Sequence, residues 1–339
     1  MSTTAHVPPA GLTLRVATPA DWDTMAALMD RCRAADGVDE VRTGAALADE
    51  FPESDFFTLA RDSLVAELDG VPVGWGMAYR VERGDLLVGE MMGVVEPSLR
   101  GRGIGTAIWR ANAARLAREM EQDPREGNRE LRSYALEVET HDIHLLQSQG
   151  YTPVRYGFEM RRTLGGPLPE HPLPDGLVMR QAVEPEYRAI FDADAEAFQD
   201  HWGHRAKTEG DYQSRFYGVE VDPALYVVAW DGDQVAGSVM NSIFADENAA
   251  LGIRRGWLEH VSVRRPWRGR GVAKALCAAS FRLLRDQGMD EAWLGVDGEN
   301  PTGALQLYEG LGFSVVRRWA AYGRPVDRPA PDGWRSGDA

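Results

Sequence analysis

The sequence predicts an α/β (α+β) chain made of two copies of one domain, each a mixed sheet flanked by helices. Three observations predict it. A turn reading Arg-Gly-Arg-Gly starts at residue 100 and again at 268, an offset of 168 residues. An Asp-Gly pair between two apolar runs occurs at 69 and again at 231, an offset of 162. Landmarks of different type at nearly one offset mark a tandem duplication, and a period this long means that each copy folds around its own core. In the third, Glu259 to Leu284, a strand-like Val261-Ser262-Val263 runs through arginines and glycines into a helical pattern.

The elements follow in order. Gly11 to Val16 reads as a strand, and Thr18-Pro19-Ala20-Asp21 opens a helix with Trp22, Met25, Ala26, Leu28 and Met29 at helical spacing. Ser63 to Leu68, Asp69-Gly70 and Val71 to Tyr79 form a hairpin with a favoured turn. Glu90 to Val95 is a strand that enters the Arg100 turn and a helix to about Met120. Four prolines in GGPLPEHPLPDG make an extended linker, after which the order recurs. Gly176 to Arg180 repeats the first strand, Pro185 to Phe198 the first helix, and Leu225 to Trp230 with Val235 to Ile243 the hairpin. The expected organisation is a domain over 1–165, a linker over 166–176, a second domain over 177–328 and a tail over 329–339.

Bulk properties narrow the function. A chain of 339 residues with 44% hydrophobic residues, 10 Trp and 10 Phe suits two folded domains. Cys32 and Cys277 form no disulfide framework or metal cluster, so a reducing cytoplasm is expected and no metal is. No basic start followed by an apolar run and no long apolar segment are found, which argues against export or membrane spanning. The net charge of -15 disfavours nucleic acid as a partner.

A strand that turns through glycines into a helix offers free backbone N–H groups at the positive helix end, and bare glycine lets a diphosphate approach. Such glycines also serve as plain helix caps. Arg268-x-x-Gly271-x-Ala273 resembles the acyl-CoA signature of the GCN5-related N-acetyltransferase (GNAT) superfamily, and Asn300 to Phe313 resembles that superfamily's C-terminal motif. The resemblance covers nearly the whole chain as two copies, in a layout similar to that of mycothiol synthases, which acetylate the cysteinyl amine of a sugar conjugate. It implies a sheet that splays between its fourth and fifth strands, with the pantetheine arm of acetyl-CoA in the gap.

It also implies roles. Backbone groups of Arg268, Gly269, Arg270, Gly271, Val272, Ala273 and Lys274 hold the diphosphate, with positive charge from Arg268, Arg270 and Lys274 nearby. Val261 and Val263 pair with pantetheine like an added strand, and Asn300 contacts the cofactor. Tyr308 is the expected acid for the CoA sulfur, against the alternative of a tyrosine packed beside Leu305 and Phe313. Glu259, on the strand face of Val261 and Val263 and desolvated beside the cofactor, is the candidate base; His260 is held in reserve. Trp257 stands where several members carry their base. His201 and Trp202 follow the first helix of the second copy, where the resemblance puts the acceptor wall.

In the first copy Val95 and the turn Arg100, Gly101, Arg102, Gly103, Ile104 and Gly105 match the cofactor site, but Leu146 replaces Tyr308 and Val138 replaces Asn300. That copy is expected to do no chemistry, with His141-Asp142-Ile143-His144 a solvated helix start rather than a metal site. The expected activity is acetyl-CoA-dependent N-acetylation of a small-molecule amine. The alternatives are a mycothiol-synthase-like acceptor or a non-catalytic acyl-CoA sensor, and the sequence leaves monomer or homodimer undecided.

Overall fold

The computed structural model describes residues 8–54, 56–84, 86–124, 127–299 and 303–326. The chain forms two compact units, one running to Tyr156 and resuming at Trp319, the other from Gly157 to Arg318.

The first unit begins with β1 (Leu12–Val16), followed by α1 (Trp22–Ala35), α2 (Gly44–Glu50) and the short α3 (Leu59–Asp62). A hairpin of β2 (Ser63–Leu68) and β3 (Val71–Arg83) comes next. Its two central residues are left-handed, Asp69 at φ 52° and Gly70 at φ 80°, the geometry that matches strand twist and favours this pair. Then come β4 (Leu86–Val95), α4 (Ile104–Glu121), β5 (Asn128–Leu136) and α5 (Thr140–Ser148). β4 and β5 are parallel, and every other pairing in this sheet is antiparallel. Met25, Leu28 and Leu47 pack with Trp75 and Met77 on one face; Trp109, Leu116 and Leu146 pack with Leu131 on the other.

The second unit repeats the plan. It contains β7 (Val178–Gln181), α6 (Tyr187–Ala197), α7 (Glu209–Tyr217), β8 (Val227–Asp231) and β9 (Gln234–Ser242). These lead into α8 (Ala245–Leu251), β10 (Arg255–Val263), α9 (Val272–Asp286), β11 (Glu291–Asp297) and α10 (Ala304–Gly310). The sheet runs β7-β8-β9-β10-β11, parallel only between β10 and β11. Ile190, Phe191 and Phe216 cover one face with Val228 and Met240, while Val272, Leu276, Phe281 and Tyr308 cover the other with Leu258 and Leu294.

The closing strands depart from the linear division at 165 and 177. The first sheet is closed by the Trp319–Pro325 stretch of β12 (Ser314–Pro325) lying antiparallel on β5. The second is closed by the Gly157–Thr163 stretch of β6 (Thr152–Thr163) on β11. A specific fit accompanies the first exchange. Glu130 and Arg132 of β5 are buried and paired at 2.9 Å. A Cβ on Gly323 of β12 would stand 2.5 Å from the Glu130 Oε1 atom, so only glycine leaves room for that carboxylate. Alternation in sequence identifies a strand but not its partner, which is why the exchange was not legible.

Candidate active site

The second unit's site is built where β10 and β11 part. Arg255, Gly256 and Trp257 pair with Glu291, Ala292 and Trp293, and there the ladder stops. β11 continues to Asp297 on β6, and β10 continues to Val263 on β9, so a wedge opens between two neighbouring strands. The junction is tightly packed. Trp257 and Trp293 lie with ring centroids 5.6 Å apart, and the Arg255 guanidinium sits 4.0 Å over Trp293. A Cβ on Gly256 would fall 2.5 Å from Leu284, so glycine lets α9 close onto the strand. Just beyond the junction β10 carries a bulge between Leu258 and His260, which adds one residue and increases the local twist.

The turn between β10 and α9 keeps its backbone donors free. Gly269 has φ 73° and Gly271 φ 89°, and Gly271 caps α9. The first helical bond of α9 runs from the Ala275 N–H to the Gly271 carbonyl. Among the described residues the N–H groups of Gly269 to Lys274 have no acceptor, and a Cβ on either glycine would meet nothing within 4 Å. Open donors at a helix start attract an anion of diphosphate size. Arg270 and Lys274 are exposed and make no ion pair among the described residues, so their charge is available there.

Arg268 corrects the sequence expectation. Its Nε donates to the Val263 carbonyl at 2.9 Å, Nη2 to the Ala197 carbonyl at 2.9 Å and Nη1 to Asp200 at 3.0 Å. The side chain fastens the turn to the end of α6, and its charge is spent on Asp200. Hydrogen bonds from Arg265 and Arg268 hold the Asp200 carboxyl well below its ordinary pKa.

Tyr308 lies on the α9 face, the face that carries this turn. It is buried with Cys277, Phe281 and Phe313, its ring edge-on to Phe313 at 5.9 Å. Burial, aided by the Cys277 thiol, pushes the phenol's pKa well up. No hydrogen bond holds its hydroxyl among the described residues. Asn300 lies outside the described residues.

The bulge redistributes the β10 side chains. Leu258 belongs to the α9-face core and Val261 and Val263 pack against it, while His260 reaches Asp194 of α6 on the opposite face. Glu259 is exposed and acts electrostatically on Tyr226, a member of the α6-face core. It is the extra residue of the bulge, and it is not the desolvated carboxylate expected. The extra residue resets the alternation, which no two-residue period can foresee.

Around His260 the α6 side gathers a small cluster. The His260 Nδ1 lies 2.9 Å from the buried Asp194 Oδ2. Phe198 is 4.9 Å from the His260 ring and 4.3 Å from the His201 ring, lying against both imidazoles. Burial lowers the His201 pKa, opposed mainly by Asp297 at the end of β11. Trp202 and Trp257 are half-buried, and the indole N–H of Trp257 is sealed without a partner among the described residues. Asp194 and Phe198 escaped sequence reasoning. The available signal was a carboxylate at 194 on the apolar face formed by Ile190, Ala193 and Ala197.

In the first unit the same turn stands on a different floor. Gly101 has φ 77° and Gly103 φ 84°, Gly103 caps α4, and Arg100 is clamped by Asp36 at 2.6 and 2.7 Å. Gly105 sits over Leu145 and Val95, Ile104 is buried, and the Val95 carbonyl accepts from the Cys32 thiol at 3.1 Å. Arg102 is exposed. β4 pairs with β5 from Leu86 to Glu90 and with β3 without a bulge, so Met92 faces Met77 where His260 faces Met240. Leu146 is buried beside Trp109 and Tyr151. Asp142 is not the solvated residue expected: burial raises its carboxyl to about 6. No group of three or more His, Cys, Asp or Glu placed to hold a metal occurs among the described residues. Nor is any described helix long and apolar enough to cross a membrane.

The acetyltransferase (GNAT) family matches residues 25–137 and again 187–313. A mycothiol acetyltransferase of Thermobispora bispora is 32% identical over 306 residues, covering 89% of this chain and 94% of the relative. The crystal structure of a GCN5-related N-acetyltransferase from Sphaerobacter thermophilus superposes with TM-score 0.72 at 28% identity, over 95% of this chain and 98% of that one. A tandem GNAT protein from the clavulanic acid biosynthesis pathway shares the fold, with TM-score 0.68 at 16% identity over 94% and 99% of the two chains. A family match to each half, on two sheets that each part beside a glycine-capped helix, makes this chain a tandem member of the GNAT family and an N-acetyltransferase.

Proposed function

We propose that the second unit moves an acetyl group from acetyl-CoA to a primary amine of a small molecule, by direct attack within a ternary complex, and that the first unit does no chemistry. One observation carries the reading: open N–H groups at Gly269 to Lys274 stand beside the parted strands, with the Tyr308 phenol on the same face. The turn's N–H groups take the diphosphate, Arg270 and Lys274 add charge, and the unpaired edge of β10 around Val261 and Val263 receives the pantetheine amides as a strand would. Tyr308 gives its proton to the departing sulfur. Burial raises the Cys277 thiol to about 12 and the Cys32 thiol to about 11. Neither forms the thiolate that an acyl-enzyme route needs, which favours direct attack.

Relatives named mycothiol acetyltransferase favour a second reading of the acceptor, a cysteinyl amine of a sugar conjugate. Trp257, which stands where an acid is expected for that substrate, separates the two. The test is release of free CoA thiol from acetyl-CoA with a panel of amines that includes a cysteinyl amine. Amine-dependent release supports the first reading, and preference for the cysteinyl amine adds the second. Acetyl-CoA turnover by none of the amines overturns both.

A further inference from the structure

We propose that His260, positioned by Asp194, is the general base that takes the acceptor's proton, in place of Glu259. The proposal rests on the reading that the second unit carries the chemistry.

His260 lies three residues beyond the last β10–β11 pair, on the stretch of β10 whose edge is open. Asp194 is 4% exposed, and its Oδ2 is 2.9 Å from Nδ1. Burial works against the Asp194 carboxylate, but the charge and hydrogen bond of His260, together with the charges of Arg215 and Lys207, keep its pKa below the ordinary value. An ionised carboxylate only accepts, so Nδ1 carries the hydrogen, and the neutral form of the imidazole has its lone pair on Nε2. Nε2 has no hydrogen-bond partner among the described residues, and it is not sealed from solvent. Phe198 fixes the ring from one side at 4.9 Å. This is the base-and-orienter arrangement that general base catalysis uses.

The charged neighbours are Asp194 on α6, His201 after it, and Lys207 and Arg215, whose charges act on Asp194. Glu259, whose charge acts on Tyr226, completes the set. In the step, the ammonium gives one proton to Nε2, and the freed nitrogen pair forms the C–N bond. Collapse breaks the C–S bond, and the sulfur takes the Tyr308 proton. The second nitrogen proton restores the phenol through solvent, and His260 returns its proton to solvent.

The experiment follows CoA thiol release by the full chain with L-cysteine amide, glucosamine and spermidine from about pH 5.5 to about 9, across the histidine range. The fastest acceptor is then used for His260→Gln, Asp194→Asn and Glu259→Gln. His260→Gln is expected to lower kcat by on the order of 100-fold or more and to erase the acid limb of the profile, with acetyl-CoA binding retained. Asp194→Asn removes the carboxylate that holds the Nδ1 hydrogen, so kcat is expected to fall while the KM for acetyl-CoA is unchanged, a split that a purely structural role does not give. If Glu259→Gln erases the limb and His260→Gln does not, the proposal is overturned while the function stands. If all three variants leave kcat unchanged, the proposal is likewise overturned while the function stands; if no amine is turned over, the catalytic reading itself fails. Nitrogen-detected NMR of the imidazoles gives an acceptor-free check: the Nδ1–H tautomer at His260 is expected, and the Nε2–H tautomer overturns the proposal.

Discussion

The two units carry turns with matching glycine backbone angles over different side chains. Gly103 and Gly271 cap their helices at φ 84° and 89°, and each turn is clamped by an arginine to a carboxylate, Arg100 to Asp36 and Arg268 to Asp200. Behind the turns they diverge. The second unit has a phenol at 308 beside the small Cys277, whereas the first has Leu146 packed with the large Trp109. The second unit has a bulged strand with His260 on buried Asp194, whereas the first has an unbroken ladder with Met92 on Met77. The lesson is that a turn with open N–H groups is a property of backbone and glycine, and recurs in both units although the side chains behind it differ.

Five changes test the contrast. Tyr308→Phe should lower kcat by on the order of 100-fold while acetyl-CoA affinity stays within about 3-fold, by steady-state kinetics and titration. Arg268→Met should cost about 1–3 kcal/mol in urea unfolding, and Arg100→Met a similar amount, because each arginine clamps its turn to a carboxylate. Gly323→Ala should cost about 1–3 kcal/mol, since its Cβ meets the Glu130 carboxylate at 2.5 Å; a neutral effect would dissolve the fit ascribed to the exchanged strand. The smallest effect belongs to Asp142. Its pKa rises from 3.8 to about 6 on folding, so the folded chain holds more protons between those values and loses stability as pH climbs through them. Asp142→Asn should flatten that decline, read from melting temperatures at about pH 4 and about pH 7.

Much of this was readable beforehand. Glycines at 269 and 271, the Asp-Gly hairpin turn and the apolar stripe of α9 are local signals, and each appears where the pattern puts it. The unread parts are long-range or non-periodic. One inserted residue at Glu259 interrupts the two-residue alternation of β10. The Glu130–Gly323 fit joins residues nearly two hundred positions apart. Arg268 looked like a phosphate ligand because its charge is visible in sequence and its partner, Asp200, is not.

Calorimetric titration of acetyl-CoA into the natural chain, Gly271→Val and Gly103→Val tests the centre of the account. A valine at φ near 90° strains the cap and puts a side chain where the diphosphate would lie. The account predicts that Gly271→Val weakens binding at least about 10-fold and removes turnover, while Gly103→Val retains most turnover. Turnover abolished by Gly103→Val in a folded chain, or binding untouched by Gly271→Val, would contradict it.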